Sequence, residues 1–488
     1  PATRVQHRRT AGAGEPRRIP FVHAGEGAMH TDARGLELST HSAEAARALS
    51  AVSDHYAGFK ADVADLVKAG LAADPECAYG WVLRGYLMLL MGNTALLPNA
   101  RKALAGAEPL LQGASERERL HADALRAWIA GDLAGSTRVL EGILARWPLD
   151  LLALRMAHLF QFWQGDRERL RDCVGAVLPQ WDENTPGYHY LLGMHAFGLE
   201  ECGQYAEAEA AGRRSVELDP QDHWATHAVA HVIEMQGRHR DGIAWLDGLK
   251  GHWGGANDFI NHLWWHRTLY HLELEQCDAV LDIYDEFIRT GRLDFYLVMH
   301  NAASLLWRLE LYGVDVGDRW EQLAQQAAER VHDHANPFND MHYAMALAAA
   351  GRADARGEHL ASLRDDAGTR PGSWAPVFRE VTLPLCEALA AFRAGRHGEA
   401  VTGIQRVRAQ LHRAGGSHAQ RDVVLETLAV AALQGGQHAL ARDLLAERTA
   451  AKPSSAWSWL RYADALEALR DPAAGTARER GRALLAAG

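Results

Sequence analysis

Apolar residues recur at intervals of three and four along most of the chain, in stretches of helical length. The pattern breaks wherever a glycine follows one such stretch and precedes the next, at Gly92, Gly131, Gly165, Gly203, Gly237, Gly351, Gly395 and Gly436. Most of these glycines stand about 34 to 44 residues apart, a period that marks stacked helix–turn–helix units. Glu275 takes the turn place in one unit. The gap from Glu275 to Gly351 covers about two periods and contains LVMHNAASLLWRLELYG. No segment alternates convincingly with the period of a strand.

The clearest unit is YHYLLGMHAFGLEECGQYAEAEAAGRRSVELDP. In it Gly203 ends a first helix, Ala208 is small where two helices must approach, and Pro220 stops the second. HADALRAWIAGDLAGSTRVLEGILARWP repeats the scheme, with Gly131 and Pro148 separated by the same 17 positions as Gly203 and Pro220. These units resemble tetratricopeptide repeats in length and in the placing of glycine, alanine and proline. A single hairpin cannot bury its apolar stripe, so neighbours must complete it. The predicted fold is therefore all-α: a tetratricopeptide-like helix-hairpin solenoid of about ten repeats, wound as a right-handed superhelix with a concave inner wall. Residues 1–34, rich in Gly, Ala, Pro and Arg, read as a flexible N-terminal tail, and residues 35–488 as one continuous solenoid. RDDAGTRPGSWAPVF, residues 364–378, reads as a long loop between repeats.

Composition narrows the setting. The longest apolar stretch, Tyr86 to Met91, is too short to cross a bilayer, and the N-terminal arginines are followed by no apolar segment. The expectation is a cytoplasmic protein with no membrane partner. A net charge of −11 opposes attachment to nucleic acid. Five scattered cysteines without a CxxC pair suggest reduced thiols, not a disulfide framework or a thiolate metal site. Dinucleotide, phosphate-loop, nucleophile-elbow and kinase signatures are all missing.

The compositional outlier is histidine, with 26 residues, and its placing carries the candidate chemistry. In tetratricopeptide repeats the first helix of each pair lines the concave wall. His227, His231 and Glu234 share one stripe of such a helix at i, i+4, i+7, and Trp224 begins the same face. One repeat later His262 and His266 are again i, i+4, flanked by Trp264 and Trp265, with His262 expected toward the groove and His266 toward its edge. Further first helices add Asn339, Asp340 and His342, and then His418 and Arg421 at a helix start.

Histidine titrates near neutrality, carboxylates can orient it, and arginine can pair with an anionic group. The expected ligand lining is Trp224, His227, His262, Trp265, Asn339, His342, His418 and Arg421. If the groove is catalytic, His231 or His266 carries the proton, Glu234 or Asp340 orients it, and Arg421 anchors an anion. Paired imidazoles also suit a metal, but HExxH is absent, so the sequence assigns no metal ligand and leaves any cofactor open. The competing structural reading makes these histidines packing residues, hydrogen-bonded between neighbouring helices.

Ordered segments narrow the family. GLELST, ERERLHADAL, WPLDLLAL, WATHAVAHVIEM, NHLWWHRTLY with LDIYD, FNDMHYAMAL and GGSHAQRDV, spread over about residues 35 to 470, resemble the tetratricopeptide repeat protein 38 family. Glu275 departs from the glycine usual before the LDIYD helix. The resemblance implies the repeat fold. Because some bacterial relatives resemble products of antibiotic-biosynthesis clusters, it also implies an enzyme of secondary metabolism as one alternative function. The favoured function is binding of a small molecule or short peptide in a His-rich groove; a scaffold for protein–protein interaction is the third.

Overall fold

The computed structural model describes residues 30–487. It is all-helical apart from a two-residue antiparallel pairing of His30–Thr31 with Glu37–Leu38. Helices follow one another as hairpins, among them Glu116–Ile129 with Leu133–Arg146, Tyr188–Glu201 with Tyr205–Leu218, and His223–Met235 with His239–Leu249. The fold is a tetratricopeptide-like solenoid.

Local chemistry sets the helix ends. Ser115 and Ser417 each close a capping box, with Glu118 and Gln420 respectively, while Asp150 and Asp222 cap the starts of the next inner helices through their carboxylates. At the other end, all eight turn glycines are left-handed. Glu275 occupies the same conformation with φ 55°, so the turn forms without glycine and carries the strain of a β-carbon there.

Residues 30–34, expected in the tail, are part of the folded body. Asp32 accepts backbone hydrogen bonds that shape a turn, and Arg34 is buried against Asp54 at 2.9 Å and Ser53 at 2.7 Å. The rest of the expected tail, residues 1–29, lies outside the described residues. The expected long loop at 364–378 is mostly helix: Ala353–Thr369 runs into it, and a new helix starts at Ala375. Pro371 and Gly372 confine the break to five residues, 370–374.

That short break joins one superhelical turn to the next. Ser373 donates its backbone N–H to the Gly131 carbonyl at 3.2 Å, and its hydroxyl accepts from the Ala134 N–H at 3.3 Å. Thr94 donates to Asp333 through backbone and hydroxyl, Asn339 donates to the Gly92 carbonyl, and the His418 N–H donates to Glu201. These partners lie 217 to 247 residues apart in sequence. The second turn of the superhelix thus sits directly on the first. Inner helices are consequently covered on every side: in His223–Met235, each residue from His223 to Glu234 is buried. The concave wall encloses an interior.

Candidate functional site

Among the described residues, two of the cavities hold residues expected at the site. The first, of about 340 Å³, is walled by Phe59, Trp224, Phe259, Tyr296 and Phe338, with His227 and His262 in its lining. Its volume suits one small molecule. Among the described residues, three cations, Lys60, Arg155 and Arg292, line it and no carboxylate does. The two at the mouth are engaged, Lys60 with Gln221 and Arg292 with Asp294. Arg155 is different. It is 3% exposed, and its Nε and one terminal nitrogen have no hydrogen-bond partner among the described residues. Its guanidinium lies over Trp224 at 4.6 Å, Phe59 at 5.0 Å and Tyr56 at 5.7 Å. Ring faces offset part of the desolvation of a cation, but they do not replace an anion. Burial lowers the Arg155 pKa, and only the more distant Tyr56, Tyr296 and Asp222 oppose that.

Behind this cavity the two histidine pairs meet. The helix His223–Met235 presents His227 and His231, and the helix Ile260–Glu273 presents His262 and His266. All four are buried, and one ring nitrogen from each lies within 4.8 Å of the others. The His227 and His231 Nε2 atoms are 2.9 Å apart. Ring centroids are separated by 4.4 Å for His231 and His266 and by 5.0 Å for His227 and His262. His266, expected at the groove's edge, is central to this cluster.

The outer ring nitrogens face oxygens. His262 Nδ1 hydrogen-bonds Asn301 Oδ1 at 2.7 Å. His266 Nδ1 lies 3.5 Å from Glu234 and His231 Nδ1 lies 3.8 Å from Glu200, within ionic range but outside hydrogen-bond geometry. Burial, reinforced by the neighbouring imidazoles, holds His227, His231 and His266 far below the ordinary histidine pKa. His262 is pushed down to about 4 by burial, against the Asn301 hydrogen bond. All four rings are therefore neutral near pH 7. Burial next to Glu201 and Glu234 drives the Glu200 carboxyl well above the usual carboxylate range.

The remaining expected residues are distributed elsewhere. Trp224 forms the cavity wall, while Trp265 stacks on His262 at 5.0 Å from behind and donates to Ser304 at 3.1 Å. Asn339 accepts from His300, and His342 stacks on that same ring at 4.4 Å with its Nδ1 on the Phe338 carbonyl. His300 itself reaches the cavity; Asn339 and His342 support it from outside. Asp340 does not orient His231 or His266, because it is held by His334 at 2.7 Å and His359 at 2.9 Å. His418 and Arg421 line the second cavity, of about 680 Å³, together with Glu201. Arg421 donates to the Gly416 carbonyl and lies 3.8 Å from Glu201, so its charge is already answered.

Sequence reasoning missed Arg155 and Glu200. The signal for Arg155 was a lone cation inside LLALRMAHLFQFW, a helix otherwise apolar on most faces. For Glu200 it was register: Glu200 and Glu234 each stand three residues before a turn glycine, Gly203 and Gly237.

No family model matches the chain. Among solved structures it is similar to the human IFIT1 dimer with m7Gppp-AAAA, at 14% identity and TM-score 0.39, covering 83% of this chain and 90% of that one. The human IFIT1 dimer with PPP-AAAA gives 13% identity, the same coverage and TM-score 0.39. Naa15/Naa10 bound to HypK-THB gives 13% identity and TM-score 0.26 over 90% of this chain and 70% of that one. None of these likenesses extends to a ligand or an activity.

Proposed function

We propose that the protein binds a small anionic molecule with a flat or aromatic body in the cavity beside the histidine cluster. The observation that carries this reading is Arg155: a buried guanidinium without a carboxylate partner among the described residues, in a cavity lined by cations and aromatic rings, within a chain of net charge −11. A buried charge left unpaired is expensive, and an anion entering the cavity would remove that cost. Aromatic walls would hold the ligand body. An open groove for an extended peptide fits less well, since the stacked superhelical turns enclose the inner wall.

The ordered motifs support assigning the chain to the tetratricopeptide repeat protein 38 family, and five unpaired cysteines support a reducing, cytoplasmic setting. An enzymatic use of the same chamber is the second reading, favoured by neutral buried imidazoles in the lining at His227 and His262. Binding is tested by titrating 1-anilinonaphthalene-8-sulfonate and displacing it with naphthalene-2-carboxylate or with neutral 2-naphthalenemethanol. Saturable binding with preferential displacement by the carboxylate is expected. Equal displacement by the neutral alcohol, or no saturation, overturns the reading.

A further inference from the structure

The four histidines present a second problem that a small anion does not solve. Among the described residues, His266 has no hydrogen-bond partner on either nitrogen, and the Nδ1 atoms of His227 and His231 have none. Both oxygens of Glu200 and one of Glu234 are likewise buried and unpartnered. Each such atom has given up its hydration with no protein partner in return. Unpartnered buried ring nitrogens also occur at His158, His223 and His239; what sets these four apart is that a nitrogen of each converges within 4.8 Å of the others. In the trio of His334, Asp340 and His359, by contrast, the rings are tied to a carboxylate, with Asp340 Oδ1 hydrogen-bonded to both at 2.7 and 2.9 Å, although Asp340 Oδ2 and His359 Nδ1 are unpartnered.

We infer that His227, His231, His262 and His266 form a binding site for one divalent first-row transition-metal ion at the inner end of the cavity. Three of the four rings turn Nδ1 toward an oxygen of Asn301, Glu234 or Glu200, which leaves Nε2 for the ion. Outer oxygens of this kind orient ligand rings and raise their basicity. Ligands about 2.1 Å from a tetrahedral ion lie about 3.4 Å from one another, so donor atoms now within 4.8 Å, two of them at 2.9 Å, need only sub-ångström adjustments. An all-imidazole set selects zinc, cobalt, iron, nickel or copper over magnesium and calcium. Because His227 and His262 line the cavity as well, the ion would stand within reach of its contents.

The site stands on the histidines alone and does not need the anion reading to be right. The test is titration of chelator-stripped, full-length protein with Co²⁺, followed by visible d–d absorption, with competition by Zn²⁺. One equivalent with nitrogen-ligand bands is expected. His231→Ala and His266→Ala should each weaken binding at least 100-fold. Glu234→Gln, which keeps the shape of the side chain, should weaken it about 10- to 100-fold. Should the histidine variants lose helicity, Glu234→Gln decides. Binding unchanged in Glu234→Gln and in a folded histidine variant overturns the site, as does a wild-type protein that takes up no Co²⁺. Arg155→Met separates the two readings, because it should abolish the anion preference and leave one Co²⁺ bound.

Discussion

Arg155→Met should make the ligand-free protein more stable and the ligand-binding protein worse. Methionine approximates the stem of arginine and removes the charge. An unpaired buried cation costs several kcal/mol relative to water. Contacts with Trp224, Phe59 and Tyr56 return about 0.5–2 kcal/mol each, the nearest most. The balance favours the variant by about 1–3 kcal/mol. With an unfolding entropy of about 2.1 cal/mol/K per residue over 488 residues, that corresponds to a rise of about 1–3 °C in Tm. Losing a hydrogen bond to a charged ligand costs about 1.5–3 kcal/mol, or about 10- to 100-fold in Kd for an aromatic carboxylate. Calorimetric unfolding with and without naphthalene-2-carboxylate reads both effects. A variant that is less stable without ligand and binds the carboxylate as tightly as wild type would show that Arg155 is a structural cation already satisfied by its rings.

Other outcomes test the frame around the chamber. Glu275→Gly should raise stability by about 0.5–1 kcal/mol, since glycine relieves the left-handed strain but gains freedom when unfolded; chemical denaturation measures it, and a loss of stability would contradict the turn assignment. Gly203→Ala, at φ 78° with open space around it, should cost about 1 kcal/mol. Gly165→Ala shares the left-handed φ but drives a methyl into the His412 carbonyl of the next superhelical turn, so it should cost clearly more; equal losses would mean that the contact between turns is not tight. His334 gives a pH signature. Burial opposes its charge, but Asp340 outweighs burial and raises its pKa. Its contribution to stability is complete below the ordinary histidine pKa of about 6.5 and is lost as pH rises through the raised value. Denaturation midpoints from pH 6 to 8.5 should fall in wild type and flatten in Asp340→Asn; parallel slopes would remove His334 from the account.

How much of this was legible beforehand follows from the range of the interactions involved. Turn glycines and helix periodicity are local, so the repeat was readable, and even Glu275 could be placed in a glycine's role. The two histidine pairs were readable because i, i+4 spacing and adjacent repeats fix which faces meet. The ends of the superhelical pitch were not. Whether Arg421 faces the same chamber as His227 depends on how far the solenoid rotates per hairpin, and its partner Glu201 lies 220 residues away. Asp340 was misassigned for a related reason. His359, on the outer helix of its own repeat, together with His334 in the preceding loop, claimed it before any histidine of the inner wall could.

Contact between successive coils also fixes the number of hairpins between the residues that meet. In a linear repeat array a hairpin can be gained or lost, and only its immediate neighbours register the change. Here, inserting one unit between Gly131 and Asp333 would carry every downstream residue about a repeat past its counterpart, unzipping Thr94 from Asp333, Gly92 from Asn339 and Gly131 from Ser373 together. The coil behaves like a lock with a set number of tumblers: single residues can be exchanged, but the count cannot.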